Sequence, residues 1–184
     1  MRFPGAAERW MCVGCLVVLS LVACGAQQAA TAESTTFAVS SSAFVDGGAL
    51  PAQFTCDGSS MSPPISWTGA PAGTKSFVVL MDHQPGPGTY KWYWVLYDID
   101  PTITSIAAGG SAGTVGTNEH DAQAYEPPCS KGPGPKTYTI TVFALSTKGE
   151  MPADAGPVTR DVVLQAVTRS VLAKASISFT YTRS

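Results

Sequence analysis

Apolar and polar residues alternate along much of the chain in a way that predicts β-strands. Within residues 137–145, threonine occupies positions 137, 139 and 141, with apolar residues between them. This period of two predicts a strand with one face in the core, formed by Tyr138, Ile140, Val142 and Ala144. Two continuous apolar runs, 76–82 and 92–98, predict strands buried on both faces. The Pro- and Gly-rich residues 85–88 predict a break between those two strands.

Shorter patterns complete the prediction. Residues 36–40 and 176–182 alternate as half-buried strands, whereas apolar residues from Thr159 to Ala175 recur at helical spacing. Thr159 can cap this helix, and Asp161 in its first turn suits the helix dipole. Many strands, one late helix and no alternation of strands with helices predict a mostly β fold, either a sandwich or a barrel.

The first 23 residues predict an export signal. Arg2 and Arg9 give a positively charged start, and a run of apolar and small residues follows over 11–23. This run is shorter than the roughly 20 residues that a membrane-spanning helix needs. The segment Leu21-Val22-Ala23-Cys24 resembles a bacterial lipobox. That resemblance implies cleavage before Cys24 and lipidation of its thiol; an ordinary signal peptide with an incidental cysteine is the alternative.

The domain organisation follows from this signal. We expect a lipoprotein signal peptide over 1–23, a lipidated cysteine with a flexible tether over 24–35, and one domain over 36–184. The expected location is the cell membrane, with the domain lipid-anchored on the extracytoplasmic side. Cys56 and Cys129 remain in the domain, and an even pair in an exported protein favours a disulfide. Two buried free thiols are the alternative.

Charge and composition exclude several classes of function. The protein has a net charge of −2 and therefore lacks the excess of basic residues that is typical of nucleic-acid-binding proteins. The chain contains only two histidines, and they do not have the spacing that is typical of metal ligands. We therefore expect neither a metal site nor a cofactor. Gly109 to Gly113 matches G-x-S-x-G, but no helical pattern follows Ser111, so a nucleophile elbow is not expected. We therefore predict a protein that is not an enzyme.

An ordered set of short motifs resembles one known family. The motifs are Phe54–Gly58, Ser62–Trp67, Pro71–Ser76, Gly116-x-Asn118, Tyr125, Pro128-Cys129 and Tyr138. In this order they resemble the phosphatidylethanolamine-binding proteins, in particular the bacterial YbhB/YbcL branch, also called Raf-kinase-inhibitor-like. The resemblance covers about residues 36–183. It implies a β-sandwich of two antiparallel sheets with one C-terminal helix, and a small mouth that binds an anion or a phospholipid head group.

The resemblance also implies which residues form this mouth. They are Asp82, Gln84, Tyr93, Pro128 and Lys136. Gln84 stands where the family has a second aspartate, and Tyr93 and Lys136 stand where it has histidines. Tyr93 keeps a hydrogen-bond donor, and Lys136 supplies a fixed positive charge. The pocket can therefore remain suited to anions, or it can have lost its ligand.

Two functions are compatible with the sequence. The first is a membrane-anchored, non-catalytic protein that binds a small anionic ligand or a phospholipid head group. The second is a protein-interaction or inhibitor module with a degenerate pocket, whose partner would be a protease or an envelope enzyme.

Overall fold

The computed structural model describes residues 36–149 and 151–183. These residues form nine strands and one α-helix. The strands are β1 Ala38–Ser40, β2 Gly48–Ala49, β3 Ile65–Thr68, β4 Ser76–Gly86, β5 Thr89–Ile99, β6 Ser105–Ile106, β7 Thr114–Val115, β8 Lys136–Leu145 and β9 Val171–Tyr181. The helix α1 spans Arg160–Val167. The predictions of a mostly β fold and of one late helix are thereby confirmed for the described residues.

The strands form two sheets. The larger has the order β2-β9-β8-β4-β5-β7, and the smaller has the order β1-β3-β6. All pairs are antiparallel except β2 with β9, a parallel pair of two residues. The long strands β4, β5, β8 and β9 thus form the centre of the larger sheet.

The alternation along these strands sends side chains to two separate cores. Phe77, Val79 and Met81 of β4 pack between the sheets, whereas Val78 and Leu80 pack beneath α1. β4 is therefore buried on both faces, as its continuous apolar run predicts. The predicted inward face of β8, from Tyr138 to Ala144, is also buried between the sheets.

Two boundaries differ from the prediction. The strand β4 extends to Gly86, and β5 begins at Thr89, so only Pro87 and Gly88 form the hairpin loop. Proline followed by a glycine at φ +74° is the residue order of a type II turn, which allows a shorter break than the composition suggests.

The helix is also shorter than predicted. It ends at Val167, and residues 171–175 belong to β9, where Val171 pairs with Leu145. Hydrogen bonding to β8 decides the conformation of this segment, because its apolar residues fit helical spacing as well as a strand. Thr159 occupies the N-cap position without a capping side-chain hydrogen bond, and Asp161 lies in the first turn as predicted.

The expected signal peptide over 1–23, the lipidated Cys24 and the tether over 24–35 lie outside the described residues. Within 36–149 and 151–183, no helix is both long and apolar enough to cross a membrane.

Candidate functional site

A cavity of about 820 Å³ opens at one end of the larger sheet. Four stretches of chain line it: the end of β4, the start of β5, the loop residues 119–131, and residues 135–137. Its volume lies within the range that small-molecule sites occupy, roughly 300–1,000 Å³. Three of the five residues expected at the mouth, Gln84, Tyr93 and Lys136, lie on its wall.

The structure corrects the expected position of Asp82, which is not among the residues lining the cavity. Its Oδ2 accepts a hydrogen bond of 2.7 Å from Nε of Arg160, the first residue of α1. Asp82 follows Leu80 at a spacing of two, so its side chain lies on the α1 side of the sheet. The next residue, His83, follows Met81 on the inner face and does line the cavity.

His83 is held in place on the cavity wall. Its Nδ1 lies 2.7 Å from the carbonyl oxygen of Thr137, and its ring lies 5.2 Å from that of Tyr138. Because a carbonyl oxygen can only accept, Nδ1 carries a proton, and Nε2 is the acceptor of the neutral ring. His83 therefore adds to the mouth an imidazole that the motif comparison did not include.

Tyr93 contributes a buried phenol. It is 6% exposed, and its ring packs edge-on against Tyr138. Burial is the main cause that raises the pKa of Tyr93 above its usual value of 10, with a further contribution from the negative charges of Glu119 and Glu126. Burial likewise raises the pKa of Tyr138. Both phenols stay protonated near neutral pH, so the Tyr93 hydroxyl can donate a hydrogen bond to a ligand.

A disulfide fixes the loop below the cavity. Cys56 and Cys129 are bonded, and their Cα atoms lie 5.3 Å apart. Cys129 and Ser130 line the cavity, whereas Pro128 is buried and not part of the wall. The carbonyl oxygen of Pro128 instead accepts a hydrogen bond from the backbone N–H of Cys56. The structure thus corrects the expected role of Pro128, which holds two loops together.

Lysines make part of the wall positive. Lys91 and Lys131 are exposed, and Lys136 is half-buried, with its Nζ donating to the carbonyl oxygen of Pro133 at 3.2 Å. All three line the cavity. Together with the Tyr93 hydroxyl they offer hydrogen-bond donors of the kind that an anionic group accepts.

Two carboxylates and an imidazole stand on the same wall. Nδ1 of His120 lies 2.6 Å from Oε2 of Glu126, and Nζ of Lys91 lies 3.5 Å from Oε1 of Glu119. Glu126 is also the main cause that raises the pKa of His120, through this hydrogen bond and its charge. Sequence reasoning did not assign these glutamates to the site, because only the return of the loop brings residues 119 and 126 together.

The Gly109–Gly113 loop lies elsewhere. Ser111 borders a separate cavity of about 410 Å³ next to Trp94 and Tyr125. No helix follows Ser111 directly, since the next element is the two-residue strand β7. The structural context of a nucleophile elbow is therefore absent from this part of the described chain.

Comparisons with known proteins agree with this architecture. A family model described as phosphatidylethanolamine-binding protein matches residues 40–182. A UPF0098 protein from Methanothermobacter thermautotrophicus is 32% identical over 148 residues, covering 77% of this chain and 95% of its own. A protein of Mycobacterium tuberculosis named as a candidate lipoprotein, LppC, is 30% identical and covers 70% of this chain and 68% of its own.

Solved structures show the same fold. A phosphatidylethanolamine-binding protein homologue from Chlamydia trachomatis, CT736, superposes with a TM-score of 0.73 at 26% identity, covering 81% of this chain and 99% of its own. YbcL of Escherichia coli superposes with a TM-score of 0.71 at 27% identity, with 80% and 99% covered. The resemblance drawn from the ordered motifs is confirmed, and so is the sandwich that it implies.

Proposed function

The chain belongs to the phosphatidylethanolamine-binding protein family, and from this membership we propose that it is a non-catalytic protein that binds a small anionic ligand of phosphate or phospholipid-head-group type. The observation that carries the proposal is the donor set on the cavity wall. Lys136, Lys91 and Lys131 bring positive charge to a recess that also contains the protonated Tyr93. A phosphate oxygen accepts hydrogen bonds from both kinds of group, and those from charged donors are the stronger.

Lys136 and Tyr93 are the residues proposed to hold the anion. Lys136 begins β8, and Tyr93 lies in the first half of β5, so both extend from strands of the larger sheet. Groups on regular strands are held more precisely than groups on loops. Glu119 and Glu126 on the same wall disfavour ligands of high negative charge. This balance favours a monoanionic or zwitterionic ligand over a polyphosphate.

A titration of the full chain in detergent with inorganic phosphate, and separately with phosphoethanolamine, tests this function. Saturable chemical-shift changes at Tyr93 and Lys136 are expected in the ¹H–¹⁵N spectrum. Lys136→Ala should weaken binding tenfold or more, since a hydrogen bond to a charged group contributes about 1.5–3 kcal/mol. Lys174→Ala removes the same charge from an exposed position on β9, outside the cavity, and serves as the control.

Two results would contradict the proposal. One is the absence of saturation with either ligand, which would favour the protein-interaction module. The other is equal weakening in Lys136→Ala and Lys174→Ala, which would show general electrostatic attraction in place of a site.

We further propose that a lipid on Cys24 anchors the domain to the extracytoplasmic side of the cell membrane. The lipobox-like segment before Cys24 and the similarity to LppC support this location. Mass spectrometry of the mature N-terminus should find a diacylglyceryl-modified Cys24, and Cys24→Ala should release the protein from the membrane fraction. An unmodified N-terminus elsewhere in the chain would overturn the anchor but not the binding function.

A further inference from the structure

Three metal-ligating side chains converge on one wall of the cavity. The ligand atoms of Glu119, His120 and Glu126 all lie within 4.8 Å of one another. We propose that these residues bind one divalent transition-metal ion. None of these three ligands is one of the two residues proposed to hold the anion, Lys136 and Tyr93, so the two sites can be tested separately.

Backbone hydrogen bonds hold Glu119 and Glu126 in place at the two ends of their loop. The N–H of Glu119 donates to the carbonyl oxygen of Trp92, and the N–H of Glu126 donates to that of Tyr93. Both ends of the loop are thereby attached to neighbouring residues of β5. Between them, Oδ1 of the buried Asn118 accepts hydrogen bonds from the N–H of His120 at 2.9 Å and of Ala122 at 3.1 Å. The backbone of the three ligands is thus fixed before any metal arrives, and only their side chains need to rotate.

The charge balance of the cluster favours a cation. The side chains of Glu119 and Glu126 are only 14% and 20% exposed, yet they stand within 4.8 Å of each other. Two carboxylates so close and so largely covered repel each other unless positive charge or a proton lies between them. In this structure the compensation comes from Lys91 at 3.5 Å and from the hydrogen bond of 2.6 Å between His120 and Glu126.

That short hydrogen bond occupies the position of the metal. The proton between Nδ1 of His120 and Oε2 of Glu126 lies between two atoms that would both be ligands. Metal ligands must be deprotonated, so the ion would replace this proton and release it to solvent. Lys91 would at the same time give up its contact with Glu119.

The donor set indicates which metals fit. One imidazole nitrogen with carboxylate oxygens suits Zn²⁺, Mn²⁺ or Fe²⁺, whereas Mg²⁺ and Ca²⁺ prefer oxygen alone. Zn²⁺ bonds of about 2.0–2.2 Å place tetrahedral ligands roughly 3.3 Å apart, a contraction that rotation of the glutamate side chains can supply. Three protein ligands leave a coordination position open, and all three residues line the cavity, so water or an anion can complete the shell.

Equilibrium dialysis of the full chain in detergent against Zn²⁺ at neutral pH tests the site. Free thiols are alkylated first, which leaves the bonded Cys56 and Cys129 unchanged. One Zn²⁺ per chain is expected, and His120→Ala and Glu126→Gln should each lower the affinity at least tenfold. Lys91→Met should raise it, because the competing ammonium group is gone, and a purely structural cluster would not respond in this way.

His83→Ala is the matched control, since it removes the other histidine of the same cavity. The proposal is overturned if His83→Ala lowers Zn²⁺ affinity as much as His120→Ala does, or if binding persists unchanged in Glu126→Gln. Absence of stoichiometric binding in the unmodified chain also overturns it. Thermal unfolding of each variant without metal checks that the loss of binding does not come from unfolding.

Discussion

Replacing Asp82 with asparagine separates a structural role from a ligand-binding role. Asp82 accepts a hydrogen bond of 2.7 Å from Arg160, and the two side chains are 20% and 12% exposed. The guanidinium also lies 3.9 Å from the centre of the Tyr90 ring and donates to Asp161 at 2.7 Å. Asp82 thus joins the sheet to the first residue of α1.

The expected cost of Asp82→Asn follows from this geometry. Breaking a fully buried ion pair costs about 3–5 kcal/mol, and a hydrogen bond to a charged group contributes about 1.5–3 kcal/mol. Arg160 is only partly buried and keeps its contact with Asp161, so we expect a loss of about 2 kcal/mol in the free energy of unfolding. Because the Asp82 side chain faces away from the cavity, phosphate affinity should change less than twofold.

Urea unfolding and phosphate titration of the same samples check both expectations. Asp161→Asn is the matched control, since it removes the other carboxylate that Arg160 contacts. That carboxylate is 73% exposed, so its loss should cost no more than about 0.5 kcal/mol. An unchanged stability together with a tenfold or greater loss of phosphate affinity in Asp82→Asn would refute the reasoning and place Asp82 in the ligand site.

Three further perturbations test contacts that stabilise the fold. Cys129→Ser opens a loop of 73 residues and should lower the free energy of unfolding by about 4 kcal/mol at most, measured by urea unfolding. Gly113→Ala should cost at least about 1–3 kcal/mol by thermal unfolding, because Gly113 has φ +63° and a Cβ there would overlap the carbonyl oxygen of Tyr97. Asp46→Asn should destabilise the protein near neutral pH only. The backbone N–H and hydroxyl of Ser178 lower the pKa of Asp46 below its usual 3.8, so the carboxylate stabilises the fold above that pH and stops doing so as pH falls through the lowered pKa. A stability gap between this variant and the parent that stayed constant from pH 7 to pH 2 would contradict this.

Local periodicity was sufficient for the central strands and insufficient where distant pairing decides. The alternation around Tyr138 and Ile140 predicts the inner face of β8, because the side-chain direction in a strand depends only on its period. Val171 and Leu172 fit a helix equally well, but Val171 pairs with Leu145 of the distant β8, which makes this segment part of β9. Such pairing is not visible in a window of a few residues.

The same contrast holds for the cavity. Counting by two from Met81 places His83 on the inner face and Asp82 on the other, so period alone could have corrected the motif comparison at these positions. The proximity of Glu119 to Glu126, in contrast, cannot be deduced from a strand period. It depends on a loop whose two ends are attached by backbone hydrogen bonds to Trp92 and Tyr93 of β5, and no sequence spacing signals it.

A crystal structure of the chain grown with phosphoethanolamine tests the central claim most directly. The account predicts the phosphate group inside the cavity, with its oxygens within hydrogen-bond distance of the Tyr93 hydroxyl and the Nζ of Lys136. A cavity filled by ordered water alone at saturating ligand, or a phosphate bound on another face of the sandwich, would contradict it.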